Sequence, residues 1–423
     1  MSAVPADAAR PRILIYCHNV HGLGHVVRSV RIATALEPGR RCRVRLVTGC
    51  RFLDRLDPDP KIEIVRLPAL VAEAGGRVAA VDGTPLGKTL AARGQRIREQ
   101  LLAFRPQVML VDHNPLGLIG ELRPALDEAR RSGLATRFVW GVRDILAAAG
   151  HVERMLAFSA GPEGLRRAVA RYHSAIGYAD ASWLDAFAAY RDLALPARTA
   201  SVGFITGPRP ACHPPAADRA ALDGSRSAAS AVAGRGQHAG DSPRVVALSG
   251  GGAQAAHLAE LLLAALAAEL RAGRIRLRLV VGPFTPASAV EVLVAGCRGV
   301  EVWAEGASED AIQDASLVVA RVGYNTAYTL MRSPLPIVLV PIRSPDGEQA
   351  LRAARLGELA GVWNVAGPED EPKGDVVARL AAAISDGLAR GARARHLPFA
   401  VDGARGAAAW LLRAAEDGRC AGC

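Results

Sequence analysis

One pattern occurs twice in this chain: a buried strand, a glycine loop and a helix. That repetition constrains the fold more than any other feature of the 423 residues. Arg12–Cys17 (RILIYC) is an almost continuous apolar run, as expected of a parallel strand covered on both faces. Gly22 and Gly24 follow it, and a helical period then runs to about Leu36. Arg244–Leu248 (RVVAL) restarts the same sequence of events, with Gly250, Gly251 and Gly252 and then a helical period over Ala255–Leu270. Further apolar runs at Arg43–Val47, Lys61–Leu67, Gln107–Val111, Arg137–Trp140 and Ser174–Tyr178 extend the first series. Arg276–Val281, Val300–Trp303, Ser316–Ala320 and Pro336–Val340 extend the second. Strands alternating with helices argue for an α/β fold with parallel sheets.

The two series are separated by residues 208–243, rich in Pro, Ala, Gly, Ser and Asp, which read as a linker or insertion. The expected organisation is therefore two Rossmann-like domains facing a cleft, over 1–207 and 244–402. A final helix over Gly403–Glu416 and a tail complete the chain, the helix packing back toward the first domain. Ligands of such sheets bind outside the carboxyl ends of the strands.

Composition narrows the partners. The net charge is +11, and most of the excess lies in residues 1–205. Only Lys61, Lys88 and Lys373 are lysines, so the arginine wealth reads as a compositional bias rather than a nucleic-acid surface. The basic first half can still meet an anionic substrate or the inner face of a membrane as a peripheral contact. Cys17, Cys42, Cys50 and Cys297 lie in or beside apolar segments and read as core residues. The Cys420/Cys423 pair has no second pair or nearby histidine, so no metal site is expected. The start of the sequence lacks a signal pattern, and no apolar stretch is long enough to span a bilayer, so the expected location is cytoplasmic.

Three loops carry the chemistry. In the first, Gly22-Leu23-Gly24-His25-Val26-Val27-Arg28, glycines admit a substrate to the backbone and a helix start favours an anion. His25 stands at its mouth as a candidate general base. In the second, Gly250, Gly251 and Gly252, with Gln254, open a long helix and suit a diphosphate held by backbone N–H groups. It is neither a dinucleotide fingerprint nor a Walker loop. In the third, Arg321, Gly323, Tyr324, Asn325 and Thr326 follow one strand, and Glu348 and Gln349 follow the next. Polar groups there can bond phosphate and ribose.

The pair GLGHxxR and GGG…RxGYNT…EQ resembles glycosyltransferases related to the MurG-type N-acetylglucosaminyltransferases, and more closely a bacterial family of predicted glycosyltransferases of that type. The segments around Asp112 (VDHNPLG) and Arg143 (GVRDI) add to the likeness, which covers about residues 12–205 and 244–415. The resemblance implies a GT-B fold, an acceptor-binding first domain and a nucleotide-sugar-binding second domain. It also implies transfer of a hexosyl or N-acetylhexosaminyl group from a nucleotide diphosphate sugar, a UDP-sugar above all, to a hydroxyl. Inversion without metal or other cofactor is expected. The acceptor class stays open among lipid-linked, polysaccharide and small-molecule hydroxyls. His25 would be the base, with Gly22, Gly24, Arg28, Asp112 and Arg143 on the acceptor side. Gly250 to Gly252 and Gln254 would hold the diphosphate, Gly323 to Thr326 phosphate or ribose, and Gln349 the sugar. The resembling proteins commonly carry a ribose-binding Glu where this chain has Thr329; Glu348 is a substitute candidate. The GxGHxxR loop also resembles nucleotide-sugar hydrolases, in which the histidine activates water. A non-catalytic nucleotide-sugar-binding subunit is the third reading.

Overall fold

The computed structural model describes residues 10–20, 22–73, 77–144, 161–190, 193–210, 242–251, 254–304, 308–342, 347–367 and 371–420. The chain divides into two compact units, Met1–Thr206 with Phe399–Cys423, and Gly207–Pro398.

Unit 1 is built on seven parallel strands: β1 (Arg12–Cys17), β2 (Arg43–Thr48), β3 (Glu63–Arg66), β6 (Val108–Asp112), β7 (Arg137–Val142), β8 (Ser174–Gly177) and β9 (Arg198–Ser201). Their spatial order is β3-β2-β1-β6-β7-β8-β9, so the order reverses between β1 and β6. The apolar runs form strands because both faces are covered: every residue of β6 and β8 is buried, as are five of the six in β1 and in β7. Burying each Leu, Ile or Val of this kind contributes about 1.5–3 kcal/mol. A short antiparallel pair, β4 (Leu70–Ala72) with β5 (Val78–Ala80), lies outside the parallel sheet. These two strands are only three residues long, and neither they nor β9 was among the strands expected from the sequence.

Unit 2 repeats the plan with six parallel strands: β10 (Arg244–Leu248), β11 (Arg276–Val281), β12 (Val300–Ala304), β13 (Leu317–Ala320), β14 (Ile337–Leu339) and β15 (Val362–Asn364). The order β12-β11-β10-β13-β14-β15 reverses between β10 and β13. Its core gathers Leu258, Leu261 and Leu262 of one helix, Leu277 and Leu279 of β11, Val319 of β13, and Leu380 and Ile384 of helix Lys373–Arg390. The helix expected over Ala255–Leu270 is broken at Leu266 into Ala255–Ala265 and Ala267–Arg271. Cys17, Cys42 and Cys50 are buried as expected, whereas Cys297 is exposed.

The chain returns to unit 1 at Phe399, four residues before the boundary read from the sequence. The return is tight. Phe204 N–H donates to Ala400 O (2.9 Å), and Gly403 N–H donates to Phe204 O (3.1 Å). A Cβ at Gly403 would stand 2.1 Å from Gly203 O, so only glycine admits this crossing. Helix Gly403–Cys420 then packs on helix Gly24–Ala35, burying Ala407, Ala408, Leu411 and Ala415. Of the linker 208–243, residues 211–241 lie outside the described residues, as do His21, Gly252 and Cys423.

Candidate active site

In unit 1 the chemistry gathers where the strand order reverses, at the adjacent carboxyl ends of β1 and β6. This is the usual ligand position in an open α/β sheet. Helix Gly24–Ala35 begins there with no acidic residue in its first turn, which leaves its positive dipole end uncompensated. Gly24 is its first, exposed residue, and the carbonyl of Gly22 accepts the Asn19 side-chain amide. His25 and Arg28 are three residues apart and so share a helix face. Both reach Asp112, the last residue of β6.

Asp112 is fully buried. Its Oδ2 lies 2.5 Å from His25 Nδ1, and Arg28 forks onto it with Nε–Oδ1 at 3.0 Å and Nη2–Oδ2 at 2.9 Å. Arg28 Nη2 also lies 3.0 Å from His25 Nδ1. A carboxylate only accepts, so the Nδ1 proton belongs to the bond with Asp112, and the guanidinium contact is one of packing. Nδ1–H then fixes the tautomer with the lone pair on Nε2, the form a general base requires. Arg28 supplies the counter-charge without which a buried carboxylate is costly. Its guanidinium also stacks 4.9 Å above the Tyr178 ring.

Two more histidines flank His25. The His18 ring is 4.2 Å away, and the His113 ring stacks at 5.6 Å. Burial, followed by neighbouring charge, holds both well below the ordinary histidine range, so they are neutral. His113 adopts φ 64°, a left-handed conformation uncommon for a residue with a Cβ. It is held there by its N–H to Gly141 O (2.8 Å) and by Trp140 Nε1 donating to its carbonyl (2.6 Å). Arg143 follows β7, and its positive charge is one of the causes that keep His113 neutral. Behind these groups, buried Glu121 accepts from Tyr16 and Arg93, a structural triad away from the loop.

In unit 2 the corresponding reversal lies between β10 and β13. Gly250 follows β10 with φ 71°, and a Cβ on Gly282 would meet Gly250 O at 2.2 Å, so the loop lies directly on the end of β11. Gln254 caps helix Ala255–Ala265, which has no acid in its first turn. Gly251 lies in the same turn.

Arg321 follows β13. It is 3% exposed, and Nη1 donates to Val340 O (3.2 Å) and Pro341 O (3.4 Å). Nε and Nη2 have no partner, and among the described residues no carboxylate compensates the charge. Burial alone lowers its pKa to about 10. An uncompensated guanidinium at this position is a ready acceptor of an anion. Gly323, where an added Cβ would meet nothing, caps helix Tyr324–Met331, again without acid in the first turn. Asn325 and Thr326 are half-buried there, while Tyr324 is buried with its ring edge-on to Tyr328.

Three residues expected to touch the donor also make bonds within the protein. The Thr329 hydroxyl is buried and accepts Gly207 N–H at 3.0 Å, so it fastens the start of unit 2 rather than presenting itself to a ribose. Glu348 is buried and paired with Arg352, whose Nη1 donates to Val322 O at 2.6 Å. Gln349 Oε1 accepts both Val322 N–H (3.0 Å) and Ile342 N–H (3.1 Å), clamping the loops after β13 and β14. Only its Nε2 donors remain for a ligand.

From the sequence, Asp112 and Arg28 group with the acceptor loop but not as the partners of His25, His18 and His113 receive no role, and Arg352 falls in the helix after Gln349 without being paired to Glu348. Arg352 stands four residues after Glu348, the spacing of a helical ion pair, and was legible. His113 was not, because neither its stacking nor its backbone angle has a local signature.

No family model matches the chain, and no curated protein matches it. Solved structures do. UGT2 of Phytolacca americana, complexed with UDP-2fluoro-glucose and pterostilbene, is 15% identical with a TM-score of 0.55, over 96% of this chain and 94% of that one. The calicheamicin glycosyltransferase CalG4 is 16% identical with a TM-score of 0.52, over 97% and 95%. The spinosyn rhamnosyltransferase SpnG, complexed with thymidine diphosphate, is 14% identical with a TM-score of 0.51, over 96% and 96%. At these identities the likeness is one of fold: the chain has the two-domain GT-B fold of these glycosyltransferases.

Proposed function

We propose that this protein is a glycosyltransferase that moves a hexosyl or N-acetylhexosaminyl group from a nucleotide diphosphate sugar to an acceptor hydroxyl. The observation that carries the reading is the His25–Asp112–Arg28 arrangement at the reversal point of one sheet, together with a glycine loop and an uncompensated Arg321 at the reversal point of the other. His25 Nε2 takes the proton of the acceptor hydroxyl, and the oxygen attacks the anomeric carbon from the side opposite the leaving group. The bond from that carbon to the β-phosphate oxygen breaks, and the electron pair leaves with the diphosphate. Asp112 holds the imidazolium that forms, as an acidic partner does in other base-assisted group transfers. Arg321 and the helix starts after β10 and β13 receive the developing negative charge. Inversion follows from the single displacement.

UDP- and TDP-sugars are the donors to try first, given the ligands named for UGT2 and SpnG. Among the described residues no helix is long and apolar enough to cross a membrane. A lipid-linked acceptor would therefore be met by peripheral contact through the basic unit 1.

The test is to supply the full chain with nucleotide-sugars and a panel of hydroxyl acceptors, reading nucleoside diphosphate release and product mass. His25→Ala and Asp112→Asn should each lower turnover by about 100-fold or more while leaving nucleotide binding within about twofold. Wild-type turnover in folded His25→Ala would remove the base assignment. Free sugar as the product with every acceptor would replace the transferase reading with a hydrolase, and no turnover with any donor would leave a binding subunit.

A further inference from the structure

The parallel strands of unit 1 bring a second set of polar groups together at the edge of the sheet opposite His25. Arg137, Ser174 and Arg198 are the first residues of β7, β8 and β9, so all three stand at the amino ends of adjacent strands. Helix Gly403–Cys420 covers that edge with Trp410, Arg413 and Ala414, which lie three and four residues apart and so share one face. With His173 they line a small open pocket.

The lining consists almost entirely of donors. Trp410 Nε1 is buried and has no hydrogen-bond partner among the described residues. His173 Nδ1 accepts Phe138 N–H at 3.0 Å, and burial keeps the ring below the ordinary histidine range, so the neutral ring carries its proton on Nε2. The guanidiniums of Arg137 and Arg198 share one carboxylate, that of Asp417. Asp417 accepts from Arg198 Nη1 at 3.0 Å, and its main-chain carbonyl accepts from Arg137 Nη2 at 3.0 Å. The Arg137 guanidinium is a further 3.8 Å from that carboxylate. Arg198 and Arg413 both lie over the Trp410 ring, at 5.7 and 5.9 Å. Exposed guanidiniums of Arg198 and Arg413 at the mouth of this pocket favour an anion.

We propose that this cavity binds a phosphate-bearing anion, as inorganic phosphate or a phosphate monoester, at a site separate from the one around His25. The guanidiniums of Arg198 and Arg413 supply charge-assisted bonds, and the Trp410 ring beside them forms an aromatic wall. The bound phosphate would tie the C-terminal helix to the amino ends of β7, β8 and β9. The assignment does not depend on the transferase reading, because none of these residues belongs to the His25 or Arg321 constellations.

Trp410 is a built-in reporter. Titrating the full chain with inorganic phosphate at low ionic strength should give a saturable change in indole fluorescence that is missing in Trp410→Phe. The Arg198→Gln/Arg413→Gln double variant should bind phosphate about tenfold or more weakly, since each lost charge-assisted bond costs roughly that factor. Both arginines are exposed or largely so, and circular dichroism of the variant verifies its fold. Co-sedimentation with vesicles containing phosphatidic acid, a phosphate monoester, against phosphatidylcholine vesicles, separates the sources. Sedimentation that free phosphate displaces identifies a lipid headgroup, and a phosphate response without it identifies a soluble anion. Two results overturn the proposal: no saturable response to phosphate together with no displaceable sedimentation, or a response undiminished in the double variant.

Discussion

Replacing Arg321 with methionine should stabilise the ligand-free protein and weaken its hold on a nucleoside diphosphate. Burial alone lowers the Arg321 pKa from 12.5 to about 10, which corresponds to about 3 kcal/mol spent on keeping the cation in place at neutral pH. Methionine fills most of the volume and removes that cost. It also removes the donor from the Val340 and Pro341 carbonyls, at about 1 kcal/mol each. The net expectation is a gain on the order of 1 kcal/mol in the urea unfolding free energy of unit 2. A diphosphate would lose one or more charge-assisted bonds, about 1.5–3 kcal/mol, or about 10- to 150-fold in affinity by calorimetry. The opposite signs are what make the experiment decisive. A cation kept only for structure would give a variant less stable by about 2 kcal/mol or more, with diphosphate affinity unchanged. That pair of results would refute the assignment of Arg321 to the donor site.

Two further outcomes follow from other buried groups. His18 and His113 are neutral in the fold, with pKa values well below 6.5, while in the unfolded chain they titrate near 6.5. Below pH 6.5 the unfolded state therefore binds protons that the folded state refuses, and stability falls as pH falls, by up to about 1.4 kcal/mol per pH unit for each histidine. Lowering the pH from 7.5 to 5.5 should cost about 3 kcal/mol from the pair in urea titrations, and His113→Gln should remove about half of that; an identical pH dependence in the variant would contradict a neutral His113. Thr329→Glu should not tighten binding of any nucleotide. It should instead lower stability by about 1–3 kcal/mol, because a carboxylate replaces the buried hydroxyl that accepts Gly207 N–H; tighter UDP binding measured by calorimetry would restore Thr329 to the ribose site.

The fate of individual positions shows which kinds of information the sequence carries. β1, β6, β10 and β13 were readable because burial on both faces leaves a local run of apolar residues, and the glycine loops were readable because they interrupt such runs. His25 was readable as a residue of the loop. Its partner was not: Asp112 lies 87 residues away, and only the parallel pairing of β1 with β6 brings the two together. Thr329 shows the converse. Its spacing from Gly323 suggested a ribose contact, but its actual partner, Gly207, is 122 residues earlier in the chain. The same limit applies to Glu348 and Gln349, whose polar atoms satisfy Arg352 and two backbone N–H groups. A buried polar side chain has few bonds to give, so each bond committed to the scaffold is one withdrawn from a ligand. By that criterion Arg321, with Nε and Nη2 uncommitted, has more bonds to offer a ligand than Thr329, Glu348 or Gln349.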